Sequence, residues 1–255
     1  MRAHLHLLAL DTSTDAMSIA VSGTRDDTPA VWQHQAPGGA LASATLIPAI
    51  LELMARAGLA FGDLDAIAFG CGPGAFTGLR TACSVAQGLA FGARMPAGSP
   101  PLQVLPVDTL LALAEQARGD YLPDGQPMRV LAMLDARMDE IYAAAYAFDG
   151  QRWTRLQDCR LGPAEDLELP PGWLAQGFHL AGNVFAAYGE RLPVPASVPR
   201  LAALPTAGAM LRLAGDLLAH GAGVAPDLAL PTYVRDKVAQ TTSERAAAKL
   251  AAAVA

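Results

Sequence analysis

The chain has 255 residues, 52% of them apolar and 16% charged, enough to build a sizeable core in one large domain or two modest ones without metals or disulfides. A net charge of −6 argues against a broad nucleic-acid footprint on this chain alone, and no apolar run reaches the roughly 18 to 20 residues that cross a bilayer. Three widely spaced cysteines, Cys71, Cys83 and Cys159, and an N-terminus without the shape of a secretion signal predict reduced thiols in the cytoplasm.

Residues 4–11, HLHLLALD, read as a buried strand closed by a carboxylate. TSTD at 12–15 is turn chemistry and AMSIAVS at 16–22 alternates, so 4–22 is predicted to be a hairpin. AVWQHQ at 30–35 gives a third strand, which PGGA at 37–40 ends. From 41 to 57 the residues Ile47, Ile50, Leu51 and Met54 fall at i, i+3, i+4 and i+7, and Leu46 and Leu53 widen the stripe. That pattern predicts a helix with more than one apolar face, stopped at Gly58 and carrying Pro48 in its first turn or at a kink. LDAIAFG at 64–70 is another strand. GCGPGAFTGLRTACSVAQGLAFG at 70–92 is a glycine-rich loop running into a helix of small residues.

The pattern breaks over the proline-bounded stretch 96–106 and restarts at VDTLLALAEQA, 107–117, a helix with Asp108 as its N-cap. MRVLAMLDAR at 128–137 is a strand, and EIYAAAYAFDGQRW at 140–153 is a strand, a turn and the start of another. Leu8-Ala9-Leu10-Asp11 and Ala132-Met133-Leu134-Asp135 occupy equivalent places, which predicts an internal duplication. Residues 163–205 read as irregular, with a short strand at 179–183 and a helix from Val184; 206–220 is an amphipathic helix. The chain thus divides into 1–106, 107–239 and an Ala-rich tail, 240–255, expected to fray.

Two readings account for the glycine loop. In the first, Gly72, Gly74 and Gly78 let backbone N–H groups converge on a phosphate at the helix N-terminus. Thr77 and Arg80 add a hydroxyl and a charge, and Asp11 and Thr12 stand beside them on the first hairpin. No Gly-Lys-Ser/Thr follows, so this is not a Walker sequence. In the second reading, Ala82, Ser84, Ala86, Gly88 and Ala90 let another helix approach closely. Gly88 costs about 1 kcal/mol in a helix relative to Ala, a cost understandable where something packs on it. Asp11 and Asp135 either position Mg²⁺ or a nucleotide or accept hydrogen bonds from their own turns, and DTST favours the latter for Asp11. No two of the five histidines have helical i, i+4 spacing, so no metal site is predicted, and Cys71 and Cys83 read as small core residues.

LLALDTSTDAMSIAV (7–21), the 70–92 stretch, LAMLDARMDEIYAAAY (131–146) and LPTYVRDKVA (230–239) follow one another as in the TsaB family. The chain resembles these subunits of the bacterial system that makes threonylcarbamoyladenosine in tRNA over nearly its full length, up to about residue 240. The resemblance implies the actin-like, Hsp70-like, sugar-kinase-like (ASKHA) α/β fold, with two related lobes. It implies a non-catalytic partner for a TsaD-like catalytic subunit, recruitment of a TsaE-like ATPase, a homodimer when alone, and only indirect contact with tRNA. No intrinsic cofactor is implied; ATP or ADP at the partner interface is the one that the resemblance leaves open.

Carried across from the family, the subunit contact falls on the helices 41–57 and 79–91, at Leu46, Ile50, Leu53, Met54, Leu79, Ala82, Cys83, Ala86, Leu89 and Ala90. Relatives often have a His shortly before the Leu-Pro of the first helix; Ala42 stands near that place here. In the Pro-x-Tyr-x-Arg ending, Tyr233 and Arg235 are expected to dock the C-terminus or touch the partner. The rival reading is a nucleotide-binding ATPase or phosphotransferase of the same fold, working through Asp11, the 70–78 loop and Asp135.

Overall fold

Strand β1 (Leu7–Asp11) is buried along its whole length, because it lies inside a sheet that is covered on both faces. It pairs antiparallel with β2 (Ala16–Arg25) and parallel with β4 (Ala66–Gly72), while β3 (Thr28–Pro37) and β5 (Gln103–Asp108) form the two edges. A strand packed from both sides reads as a continuous apolar run, as LLAL does here. The computed structural model describes residues 4–39, 42–95, 98 and 100–235, so the tail 240–255 lies outside the described residues.

A second sheet is built from β6 (Met128–Arg137), β7 (Glu140–Phe148), β8 (Trp153–Gly162), β9 (His179–Gly182) and β10 (Arg200–Ala202). The first sheet runs β3-β2-β1-β4-β5 and the second β8-β7-β6-β9-β10, with the same sequence of antiparallel and parallel pairings. β6 is thus the counterpart of β1, and Asp135 stands near its C-terminal end as Asp11 does on β1. The two-lobed α/β architecture implied by the resemblance is the one observed, and the internal duplication is a duplication of topology.

The helices repeat the pattern unequally. α1 (Ala42–Ala57), α2 (Phe76–Gly92) and α3 (Thr109–Tyr121) follow β3, β4 and β5. In the second lobe α4 (Trp173–Gln176) and α5 (Phe185–Tyr188) are single turns, and among the described residues only α6 (Ala207–Ala219) is long. The helix expected from Val184 is therefore four residues, and Trp173 of α4 with Phe178, Leu192 and Val194 of the irregular chain covers Leu131, Met133 and Ile141 instead. β5 was hidden by the proline-bounded stretch. Pro106 is tolerated because β5 is an edge strand, where a missing N–H need not break the ladder.

α1 and α2 cover one face of the first sheet, with Leu46, Ile50, Leu53, Ala82 and Ala86 against Leu8, Leu10, Ile19, Ile67 and Phe69. On the other face Ala9, Ala68, Leu105 and Val107 meet Ala112 of α3 and Ala207, Met210 and Ala214 of α6. Leu110, Leu113 and Ala117 of α3 turn to Val130, Ala132 and Tyr146 of the second sheet. α3 thus touches both sheets, and α6, from the second half of the chain, packs on the first sheet. The chain crosses back over the division expected at residue 106.

Asp108 caps α3 by accepting from Leu110 N and Leu111 N. Two helical turns on, the buried Glu115 accepts from Arg118 Nε at 2.8 Å, Arg212 Nε at 2.6 Å and Trp153 Nε1 at 3.0 Å, which ties α3, α6 and β8 together. Burial alone would raise the Glu115 pKa, but the three donors outweigh it and hold the carboxyl below its usual range.

Candidate functional site

The conspicuous sequence motifs converge where the lobes meet. The turn after β1, the loop between β4 and α2, the turn after β6 and the segment 229–235 all lie there. The glycines of the loop have a steric cause. A β-carbon on Gly78 would stand 1.8 Å from the Thr12 carbonyl oxygen, one on Gly74 2.6 Å from that of Ser13, and one on Gly70 2.0 Å from Asp11 Oδ2. Gly72 has φ +128°, and a β-carbon there would stand 2.4 Å from Thr232 O. Hydrogen bonds from Thr12 Oγ1 to Gly78 O (2.7 Å) and from Ala75 N to Ser13 O (2.7 Å) fix the interlock.

The structure therefore brings together the residues picked out for a phosphate, Asp11, Thr12, Gly72, Gly74, Thr77, Gly78 and Arg80. The space beside the three glycines, however, is filled by the chain's own backbone. Asp11 and Thr12 are buried, whereas Thr77 and Arg80 are exposed.

Asp11 behaves as a turn acceptor. Its Oδ1 receives Ser13 N at 3.1 Å and Ser13 Oγ at 2.9 Å, and among the described residues Oδ2 has no hydrogen-bond partner. Burial pushes its pKa up to about 7 in spite of those two donors. Asp135 is also tied locally, its Oδ1 receiving Arg137 N at 2.8 Å and Tyr188 OH at 3.0 Å. The Arg137 guanidinium then spans the lobes, 2.5 Å from Asp15 Oδ2 and 3.5 Å from Asp135 Oδ2. Arg137, Met138 and Asp139 all take left-handed φ values, 60°, 56° and 63°, an arrangement that costs non-glycine residues about 1 kcal/mol or more each. That strained turn is what aims Arg137 across the seam. Cys71 is buried and its thiol is pushed up to about 11, in keeping with a small core residue.

The segment 229–235 ties the lobes from outside. Thr232 N donates to Cys71 O at 2.7 Å, and Arg80 Nε donates to Tyr233 OH at 2.9 Å. The Tyr233 and Phe76 rings lie 5.2 Å apart, with the Arg80 guanidinium 3.9 Å from the Phe76 ring centre. On the second lobe Arg235 pairs with Glu140 at 2.7 Å and donates to Ala136 O at 3.1 Å. Tyr233 and Arg235 thus dock this end of the chain. Beneath them is a mostly apolar cavity of about 210 Å³, lined among others by Phe76, Leu79, Met138 and Tyr142.

The outer side of α1 and α2 corrects the expected partner residues. Leu46, Ile50, Leu53, Met54, Leu79, Ala82, Cys83, Ala86 and Ala90 are buried in the lobe's own core, and Leu89 is half-buried. A second protein does not reach the nine buried side chains while the lobe stays folded. What the helices leave outside are the large apolar side chains Ile47 (44% exposed) and Leu51 (51%) on α1 and Phe91 (66%) on α2, together with the small, exposed Ser84 and Gly88 of α2. Among the described residues nothing lies within 4 Å of a β-carbon built on Gly88. The sequence held the signal in the doubled stripe of 46–54, since one stripe serves the sheet and the other is left free.

Comparisons with known proteins point one way. The family model described as TsaD, tRNA N6-adenosine threonylcarbamoyltransferase, matches residues 37–250. Over 243 residues the chain is 30% identical to the tRNA threonylcarbamoyladenosine biosynthesis protein TsaB of Escherichia coli, covering 92% of this chain and 96% of that one. A protein of the same name from Haemophilus influenzae is 41% identical over 139 residues, a match that spans 54% of this chain and 52% of the relative. The solved structure of YeaZ from Pseudomonas aeruginosa superposes with a TM-score of 0.77 at 37% identity, covering 90% of this chain and 100% of that one.

Proposed function

The chain belongs to the TsaB family, within the wider family of TsaD, and from that premise we propose that it serves threonylcarbamoyladenosine formation in tRNA as a subunit without chemistry of its own. It pairs with a TsaD-type catalytic subunit, recruits a TsaE-type ATPase to the pair, and forms a homodimer through the same face when the partner is absent. It works in the cytoplasm, meets tRNA only through the assembly and supplies no cofactor. ATP or ADP, where it binds, sits at the junction with the partner.

The observation that carries this reading is the exposed apolar side of α1 and α2, with Ile47 and Leu51 on one helix and Phe91 and the open Gly88 on the other. Exposed apolar groups gathered on one face of a fold mark an interaction surface. The seam between the lobes supports the same conclusion. Beside the glycine loop, where a phosphate would sit, Thr12 and Ser13 fill the space with the chain's own backbone, and Arg137 bridges Asp15 and Asp135.

The test is co-expression with the TsaD-type subunit of the same cells, followed by size-exclusion chromatography and an assay of modified tRNA with and without this chain. The expected result is a stable heterodimer, full modification only when both subunits are present, and no turnover by this chain alone. A chain that stays monomeric beside its partner, or that makes product unaided, overturns the reading.

A further inference from the structure

We propose that the segment 226–235 is a third element of the partner-binding surface beside α1 and α2, and that its Leu228, Leu230 and Tyr233 are covered by the TsaD-type subunit. This rests on the reading above, in which the partner seats on the α1–α2 face.

The placement follows from the faces of α2. The residues that meet the segment are Phe76, Arg80, Cys83 and Gln87, spaced by four, three and four, so they share one flank of the helix. Leu79, Ala82, Ala86 and Ala90 face the sheet, while Thr77, Ser84, Gly88 and Phe91 face outward. At about 100° per residue, Arg80 lies within about 20° of Phe91 and about 40° of Ser84 around the axis. The segment therefore borders the exposed ridge of α2 and continues its surface.

On that border Leu228 is 65% exposed, Leu230 67% and Tyr233 45%. Three large apolar side chains are exposed within six residues of a segment that runs along the flank of α2, which makes them a patch rather than scattered singles. Their backbone is held fixed. Gln87 Nε2 donates to Pro226 O and Ala229 O, each at 3.0 Å, Cys83 Sγ lies 3.3 Å from Ala229 O, and Arg235 is anchored on the second lobe. A surface ordered in advance loses little freedom when a partner arrives, which favours binding. The occupant is a protein face rather than nucleic acid. The seventeen residues of α2 carry a single charged side chain, Arg80, and phosphate binding would call for a basic stripe.

The experiment uses the full chain and its TsaD-type subunit, with heterodimer Kd measured for the double variant Leu228→Asp, Leu230→Asp and, separately, for Leu51→Asp on α1. The double variant is expected to weaken pairing by at least about ten-fold with an unchanged melting temperature. If it pairs normally while Leu51→Asp does not, the third element is refuted and the α1–α2 reading stands. If both pair normally, that reading falls and the inference with it. A photo-crosslinking residue at position 228 supplies a second readout that does not depend on the charged variant folding. Capture of the partner supports the proposal, and its absence from a heterodimer that has formed overturns it.

Discussion

Gly78 and Thr12 are locked together at the start of α2. The Thr12 hydroxyl donates to the Gly78 carbonyl at 2.7 Å, and the Thr12 carbonyl oxygen leaves no room for a β-carbon on Gly78, which would stand 1.8 Å away. Neither obstacle is the end of a flexible side chain, so Gly78→Ala has to move the turn after β1 or the start of α2. Overpacking usually costs 1 to 3 kcal/mol, and an immovable neighbour puts this variant at about 3 kcal/mol or more. Gly88→Ala is the contrast, since its β-carbon meets open space and the helix gains about 1 kcal/mol. Urea unfolding of the two variants checks both signs, and a Gly78→Ala midpoint equal to the parent's would show that the two loops are not rigidly joined.

Asp11 predicts an unusual pH dependence. A carboxyl whose folded pKa is raised to about 7 holds its proton more tightly folded than unfolded, where it titrates near 3.9. Its stabilising contribution is complete below about pH 4 and is lost as the pH climbs through about 7. A shift of that size corresponds to roughly 4 kcal/mol. Asp11→Asn keeps an acceptor for Ser13 and does not ionise, so its stability is expected to fall less than the parent's between about pH 5 and pH 8. Parallel pH profiles would mean that the native carboxyl is already charged at the acid end.

Much of this architecture is legible in the residues, and the parts that are not have identifiable causes. Asp108 is recognisable as a cap because α3 begins directly behind it, and the LALD and AMLD runs betray the repeated lobe because both strands are buried on two sides. β5 is obscured because the prolines that look like a break are tolerated at a sheet edge. The helix expected from Val184 shrinks to the single turn α5 because long-range packing of Trp173 and Phe178, rather than helical propensity, covers the second sheet. At the site, a list of apolar positions does not say which of two stripes meets the sheet. Leu46 and Ile50 go inward while Ile47 and Leu51 stay outside, and only the three-dimensional arrangement separates them. The glycines are similarly ambiguous, since a loop that approaches a phosphate and a loop that approaches its own neighbour need the same missing β-carbon.

Glu115 gives a prediction of the opposite sign to Asp11. Its carboxyl is held below its usual range, so the stability it contributes is present above the unfolded value near 4.3 and is lost as the pH falls through the lower folded value. Glu115→Gln removes the negative charge facing Arg118, which is buried against Phe148, and Arg212, which is partly exposed and can turn to water. Arg118 keeps only the long 3.9 Å contact to the exposed Asp124, and stranding one buried partner typically costs 3 to 5 kcal/mol, so the low end of that range applies. A loss of about 3 kcal/mol at neutral pH, shrinking in acid, is expected in denaturant titrations. A variant within about 0.5 kcal/mol of the parent would mean that water reaches Arg118.

The partner surface is best probed where folding and pairing separate. Ala86 and Gly88 are two residues apart on α2, yet Ala86 is sealed in the core and Gly88 faces outward. Ala86→Trp would need space that the core lacks and would unfold the lobe, so a lost complex there would say nothing about contact. Gly88→Trp has room in the free chain, and replacing glycine favours the helix. Helices that cross over small residues sit at the near end of the usual 8 to 10 Å separation, which leaves no place for an indole between them. Gly88→Trp is therefore expected to keep native circular dichroism and melting temperature while weakening the heterodimer by about a hundred-fold or more, with Gly88→Ala in between. A Gly88→Trp chain that elutes with its partner as the parent does would show that the outward ridge of α2 lies free in the complex.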